Sequence, residues 1–324
     1  MKATPLKSRR LFKPHPLSVA IAIACASMSP TFAQSPTPGT TYLPGTVVGS
    51  QVWQGANVSG FSPGSQLLEI LQTQPRASLY WNRFNIDAGQ TVRFNQQGNR
   101  DWVALNWIAD QNPTQIAGRL VADGQIYLIN QNGIVFKPGA QVDAASFIAS
   151  TLQINSDAFL RSLVALRDGR AAFTAFPGAT SGRIELQSGP ITTLSGTTLN
   201  GPNGQPLTGV ATITSGEGGR VFLFAAQEVV NNGRIESKGG QVVLAAGTSV
   251  YLFAPSSTDG ASFRGLFVEV NSGGAARNLG EILTDRGNTS LVGLAVNNSG
   301  RIRADSAVSE NGSVWLLSRS DLPA

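Results

Sequence analysis

One phrase, a glycine followed by a charged residue and isoleucine, returns through the second half of this chain. It stands at Gly182-Arg183-Ile184, Gly233-Arg234-Ile235, Gly280-Glu281-Ile282 and Gly300-Arg301-Ile302. A second phrase, a turn followed by apolar residues, returns at Gly219-Arg220-Val221-Phe222-Leu223, Gly240-Gln241-Val242-Val243-Leu244 and Gly312-Ser313-Val314-Trp315-Leu316. The step from Gly219 to Gly240 is 21 residues, and that from Gly280 to Gly300 is 20. Such a period, holding two or three short strands, suits one coil of a parallel β-helix, whose backbone groups pair with the coils above and below. A β-sandwich would also have short strands and turns, but it gives no reason for one phrase to return at a coil-sized interval. The expected fold is all-β, a right-handed parallel β-helix with an N-terminal cap.

The strands themselves read as alternating runs. Thr91-Val92-Arg93-Phe94 alternates, as does Gln115 to Ala122; Asp123-Gly124 then marks a turn before Gln125-Ile126-Tyr127-Leu128-Ile129. Each is expected to be half-buried, with one set of side chains in the core and the other facing out. Glycine spread along the chain and a charged fraction of only 13% fit a stack of short strands with tight turns. Residues 157–170 depart from this pattern. Phe159, Leu160, Leu163, Val164 and Leu166 recur at helical spacing, which predicts a short helical or irregular excursion covering an end or edge of the solenoid. The expected divisions are a signal peptide at 1–33, an arm at 34–52, a core at 53–154, the excursion at 155–183 and further coils at 184–324.

The first of these divisions removes several function classes. Lys2, Lys7, Arg9, Arg10 and Lys13 precede an apolar run from Leu17 to Met28, and Thr31-Phe32-Ala33 follows. That order predicts a secretory signal cut after Ala33, its apolar run too short to span a bilayer. Arg9-Arg10 approaches a twin-arginine motif and Ala22-Ile23-Ala24-Cys25 a poor lipobox, but general export of an unfolded chain is the preferred route. Without this segment the 24 basic residues fall to 19, against 19 acidic ones. The pI near 9.7 therefore belongs to the signal, and nucleic-acid binding is not expected. Cys25 and His15, the only residues of their kinds, leave with it. No disulfide, thiol nucleophile, Cys/His metal site or Ser-His-Asp triad is then available, and no cofactor is expected.

From Leu67 to Ile154 a series of phrases carries a resemblance. They are Arg76-Ala77-Ser78-Leu79-Tyr80-Trp81 with Phe84-Asn85-Ile86; Gly89 with Val92-Arg93-Phe94; and Ala104-Leu105-Asn106. Ile116-Ala117-Gly118-Arg119-Leu120, Asp123 to Ile129, Asn130-Gln131-Asn132-Gly133-Ile134-Val135-Phe136 and Ala149-Ser150-Thr151-Leu152 complete it. In this order the chain resembles the N-terminal secretion domain of two-partner-secretion exoproteins, the filamentous haemagglutinin family. The resemblance implies export through the periplasm to the surface or medium of a Gram-negative bacterium. It also implies recognition by the periplasmic domains of an outer-membrane transporter, with the chain crossing unfolded. A host glycan or receptor is a further candidate partner, and the protein is expected to be a monomer.

Asn130 to Gly133 lie between two apolar strands. Asn side chains can accept a hydrogen bond from the backbone two residues on, and Gly133 can take the positive φ of a tight corner. An outward corner fixed by its own side chains is expected here. The resemblance implies that Asn130, Gln131, Asn132 and Gly133, with Asn85, belong to the surface the transporter reads. Gln131 stands where the family usually has Pro, Asp123 where Asn is usual, and Trp107 where Arg is common. The chain ends at Ala324, soon after its last visible coil, so a short or truncated member is expected.

Two other functions compete. Polysaccharide lyases and hydrolases can also be β-helices, but they need clustered acids; here the acids are scattered, with no D-D or D-x-D phrase. A structural surface fibre is the other alternative. The five tryptophans could stack on sugars, although core or cap packing is the expected role.

Overall fold

The computed structural model describes residues 53–60, 66–161, 163, 170–178, 182–254 and 265–304, with strands Gly45–Thr46 and Ser313–Ser318. The signal segment, and the arm apart from Gly45–Thr46, lie outside the described residues.

The chain winds as a parallel β-helix whose coils contribute successively to three sheets. The first sheet has nine strands from Gly45–Thr46 to Ser313–Ser318, and the second has nine from Ala56–Gly60 to Arg301–Arg303. The third has six, from Thr114–Ile116 to Ala295–Asn298. In one complete coil Arg119–Ala122 joins the second sheet, Gln125–Ile129 the first and Ile134–Phe136 the third.

Register explains why the repeat begins with glycine and reaches isoleucine two residues later. In the second sheet Leu68, Val92, Leu120, Val142, Ile213, Ile235, Ile282 and Ile302 pair in one column. All but the last, which is partly buried, line the interior. Gly219, Gly240 and Gly287 stack at one corner, and Gly233, Gly280 and Gly300 at another. A Cβ on Gly240 would run into the carbonyl of Gly219, and one on Gly280 into that of Gly233. Coils this close at their corners admit no side chain.

The two ends of the interior are finished differently. At the N-terminal end Ala56–Gly60 pairs antiparallel with Leu67–Gln72, and Gly45–Thr46 with Arg76–Arg83, closing edges that would invite pairing. Trp53 lies tilted on Trp81 at 4.6 Å between ring centroids, and Trp81 meets Phe84 edge-on at 5.0 Å. These two tryptophans form the cap, as expected. Toward the other end, Asn231, Asn278 and Asn298 stack in the third sheet. Asn231 Nδ2 donates to Asn278 Oδ1 at 2.7 Å, and Asn278 Nδ2 to Asn298 Oδ1 at 2.7 Å.

The half-buried expectation holds for Arg76–Arg83 of the first sheet but fails for the later strands of that sheet. Arg220–Ala225 is buried at every position after the first, and so is Gln125–Ile129. The cause is a second apolar layer on that sheet's outer face, where Leu105, Tyr127, Ile148, Phe222, Phe224 and Val243 form a cluster with Ile154, Phe173, Leu252 and Val268. The covering residues belong to a four-stranded antiparallel sheet, Gln153–Ile154, Phe173–Thr174, Ser249–Phe253 and Phe267–Asn271. The excursion therefore covers a face of the solenoid, not an end or edge. Full burial of one such Phe or Leu contributes about 1.5–3 kcal/mol, which is why the chain leaves its coil here. The helix within the excursion runs over Ser156–Leu160, capped by Asn155, whose side chain accepts from Asp157 N at 2.9 Å. Of the rest of the expected helical stretch, residues 162 and 164–169 lie outside the described residues.

Candidate functional site

Asn130 to Gly133 turn the chain from the first sheet into the third. Asn130 Oδ1 accepts from Asn132 N at 2.9 Å, the expected Asx turn, and Gly133 N donates to Asn130 O at 3.1 Å. Gly133 has φ +120°, and a Cβ there would stand 2.9 Å from Arg183 O in the next coil. Both the left-handed backbone and the close approach call for glycine.

The corner differs from expectation in which side chains face outward. Asn130 is 0% exposed. Its Nδ2 donates to Asn112 O at 3.1 Å and Thr114 Oγ1 at 3.0 Å, both in the coil below. A carboxamide has more hydrogen-bonding groups than an Asx turn uses, and burial requires the remaining ones to be satisfied. Asn132 is half-buried, and its Nδ2 donates to Asp110 O at 2.7 Å. Gln131 is the exposed tip.

Beneath this turn lies another of the same kind. Asp110 Oδ1 accepts from Asn112 N at 2.9 Å and from Asn112 Nδ2 at 3.2 Å. The two turns stack, the upper Asn amides donating to the lower turn's carbonyls. Asn85 sits in the coil below that, half-buried, its Oδ1 accepting from Gln115 N at 2.8 Å. Asn85 thus lies two coils from the Asn130 corner, but under the third-sheet strand that follows the turn and not under the turn itself: Ile86 bridges Ile116, which pairs with Phe136. Asp110, Asn112 and Thr114 escape a reading confined to single phrases. The signal that exposes them is periodic: Asp110-Gln111-Asn112 precedes Asn130-Gln131-Asn132 by 20 residues, one coil.

Among the described residues no group of three or more His, Cys, Asp or Glu could hold a metal ion. Two of the acids are instead tied to cations across coils: Glu228 bridges Arg183 and Arg277, and Glu281 bridges Arg234 and Arg301. Among the described residues the one marked pKa displacement belongs to Tyr127, whose phenol burial pushes well above the usual range against the opposing charges of Arg220 and Arg76. It lies under the covering sheet, on the strand Gln125–Ile129 that leads into this corner.

A capped parallel solenoid with an apolar sheet laid on one face, and a polar corner of stacked Asx turns, defines a β-helical module. The TPS secretion domain family matches residues 49–321, and the chain belongs to that family. The HMW1 secretion domain from Haemophilus influenzae is similar in fold, with a TM-score of 0.60 and 23% identity, covering 82% of this chain and 62% of that one. A heme/hemopexin-binding protein of Haemophilus influenzae is 36% identical over 84 residues, 26% of this chain and 9% of that protein. The corresponding protein of strain Rd is 36% identical over 104 residues, 32% of this chain and 11% of its own length. The match thus spans about a tenth of the length of these curated relatives. This chain carries the secretion-targeting domain of a two-partner-secretion exoprotein. An outer-membrane transporter recognises such domains, and their proteins pass through the periplasm to the surface or medium of Gram-negative bacteria.

Proposed function

We propose that the domain engages the periplasmic part of its transporter through the corner of Asn130, Gln131, Asn132 and Gly133, with Asn85, two coils away, holding the third-sheet strand Thr114–Ile116. One observation carries this reading: the corner closes through its own side chains and holds Gln131 exposed at its tip. The test compares cell-free supernatant with periplasm for the chain co-expressed with its cognate transporter. Asn130→Leu and Asn132→Leu accumulate in the periplasm while the distal Arg303→Ala is secreted normally. Wild-type levels of both Asn variants outside the cell reject the corner.

The domain acts without catalysis or cofactor, as a monomer. Glu228, Glu281 and Glu236 each sit between cations, Glu236 meeting Arg234 at 3.2 Å and Lys238 at 3.4 Å. A glycoside-cleaving site needs a free carboxyl pair facing substrate, and these three carboxylates supply none. Haem binding, in the relatives' name, is not extended to this domain, because the shared segment is the secretion domain. Beyond residue 28 the chain also has no His, Cys or Met with which to ligate haem iron. Contact with a host glycan or receptor is a separate proposal resting on family likeness alone. Trp53 and Trp81 are engaged in the cap, and Trp107 packs edge-on against Phe176 at 6.5 Å, so none of these three forms a free sugar platform.

A further inference from the structure

Coils of a solenoid ordinarily touch only the coils directly above and below. The covering sheet relaxes that rule, but its apolar cluster reaches back only to Val103 and Leu105, in the second coil. The first coil, Leu67–Gln72 with Arg76–Arg83, lies beyond it. Three side chains at this end find partners much later in the chain. Arg76 donates from Nε to Phe159 O at 3.3 Å and from Nη2 to Leu160 O at 2.5 Å, at the C-terminal end of the excursion's helix. Asp87 Oδ1 accepts from Ala88 N in its own turn and from Leu194 N, each at 2.7 Å. Arg100 Nη2 donates to Glu217 O at 2.6 Å.

These partners stand 83 to 117 residues apart in sequence, and each pair spans three coils. In the first sheet three strand steps separate Arg76–Arg83 from Ser146–Ser150, and Val103–Ile108 from Arg220–Ala225; in the second, three separate Thr91–Asn95 from Thr212–Ser215. The chain makes room for the reach. Leu194 belongs to an insertion that opens with a hairpin, Ser188–Pro190 against Thr208–Val210, and folds back over the corner of the coil before it. That corner is bare at Gly139. A Cβ on Gly139 would stand 3.0 Å from Ile191 Cδ1, and one on Gly209 would stand 3.1 Å from Gly139 Cα.

We infer that residues 159–217 strap down the N-terminal end of the solenoid, so that the first coil opens only together with the coils it is tied to and does not peel from the end. A terminal coil held by one neighbour frays at little cost. One also tied three coils away must release the coils between. What the straps guard is the cap, because Trp53 rests on Trp81 of that first coil and keeps its seat only while the coil stays.

The experiment is hydrogen exchange on the full chain, read at Arg76–Arg83 of the first coil and at Ser146–Ser150 three coils on. In the wild type the two segments exchange at the same rate. Arg76→Met keeps an unbranched apolar stem and removes the donors, and Leu194→Pro removes the N–H that Asp87 receives. In the double variant Arg76–Arg83 exchanges about tenfold faster, as expected for the loss of these bonds at the low end of their worth, while Ser146–Ser150 keeps its rate. Leu194→Ala, which retains the N–H, behaves as wild type. An unchanged rate at Arg76–Arg83 in the double variant overturns the inference. So does an equal rise in both segments, because the bonds then stabilise the whole domain and hold no particular end. Faster exchange at Arg76–Arg83 in the wild type, or an effect of Leu194→Ala as large as that of Leu194→Pro, also overturns it. Should proline at 194 collapse the hairpin, Arg76→Met alone decides, since it leaves the hairpin untouched.

Discussion

The indole N–H of Trp81 donates to Asn106 Oδ1 at 2.9 Å inside the solenoid, both residues wholly buried and adjacent coils apart. Asn106 Nδ2 turns the other way, to Ala104 O at 3.1 Å and Tyr127 O at 3.3 Å. A single carboxamide therefore satisfies the polar edge of the largest buried ring and ties the cap to the coils above. Asn106→Leu leaves that N–H without a partner and lowers stability by about 1–3 kcal/mol. Urea unfolding measures this. In Trp81→Phe the Asn106→Leu cost shrinks; an unchanged cost shows that the pair is not coupled.

Tyr127 gives the domain an alkaline limit. Its phenol is neutral when protonated, and burial raises its folded-state pKa. Above the unfolded value near 10 the unfolded chain has lost a proton that the folded chain keeps, so stability falls as pH rises through that region. Below it the contribution is complete and flat. Tyr127→Phe removes the alkaline fall while leaving the neutral-pH melting temperature little changed. Parallel melting curves from pH 8 to pH 11 are the check.

Gly240 and Gly204 make a contrast. Gly204 has φ +74° but nothing within 4 Å of a Cβ, so Gly204→Ala costs only the left-handed backbone, about 1–2 kcal/mol. Gly240→Ala forces two coils apart and costs more, about 3 kcal/mol or beyond. Equal costs in chemical denaturation contradict the corner-stacking account.

Gln131→Pro restores the residue usual in the family at the tip of the turn. Fixing φ there narrows the unfolded ensemble and raises stability by about 0.4–1 kcal/mol. A lower melting temperature shows that the backbone at Gln131 does not accept proline's φ.

Much of this architecture was legible, because the repeated glycines mark corners where coils nearly touch and Ile184, Ile235, Ile282 and Ile302 mark the interior two residues on. The covering sheet was less so. Its evident trace is the apolar run Val221-Phe222-Leu223-Phe224, where alternation gives way to burial on both faces. A reading tuned to period two takes the inward residues and leaves Phe222 and Phe224 unexplained. At the corner the Asx turn was visible because it is local. The burial of Asn130 was not, because it depends on Asn112 and Thr114 one coil away.

The asparagine column of the third sheet limits how this chain can be recombined. Each amide from Asn231 upward passes a hydrogen to the next, whereas the positions directly below, Phe136 and Leu186, are apolar. Coils exchanged within the asparagine block keep every donor matched. A coil moved across the boundary between Leu186 and Asn231 strands a carboxamide against hydrocarbon. Coils are thus exchangeable on either side of that line but not across it.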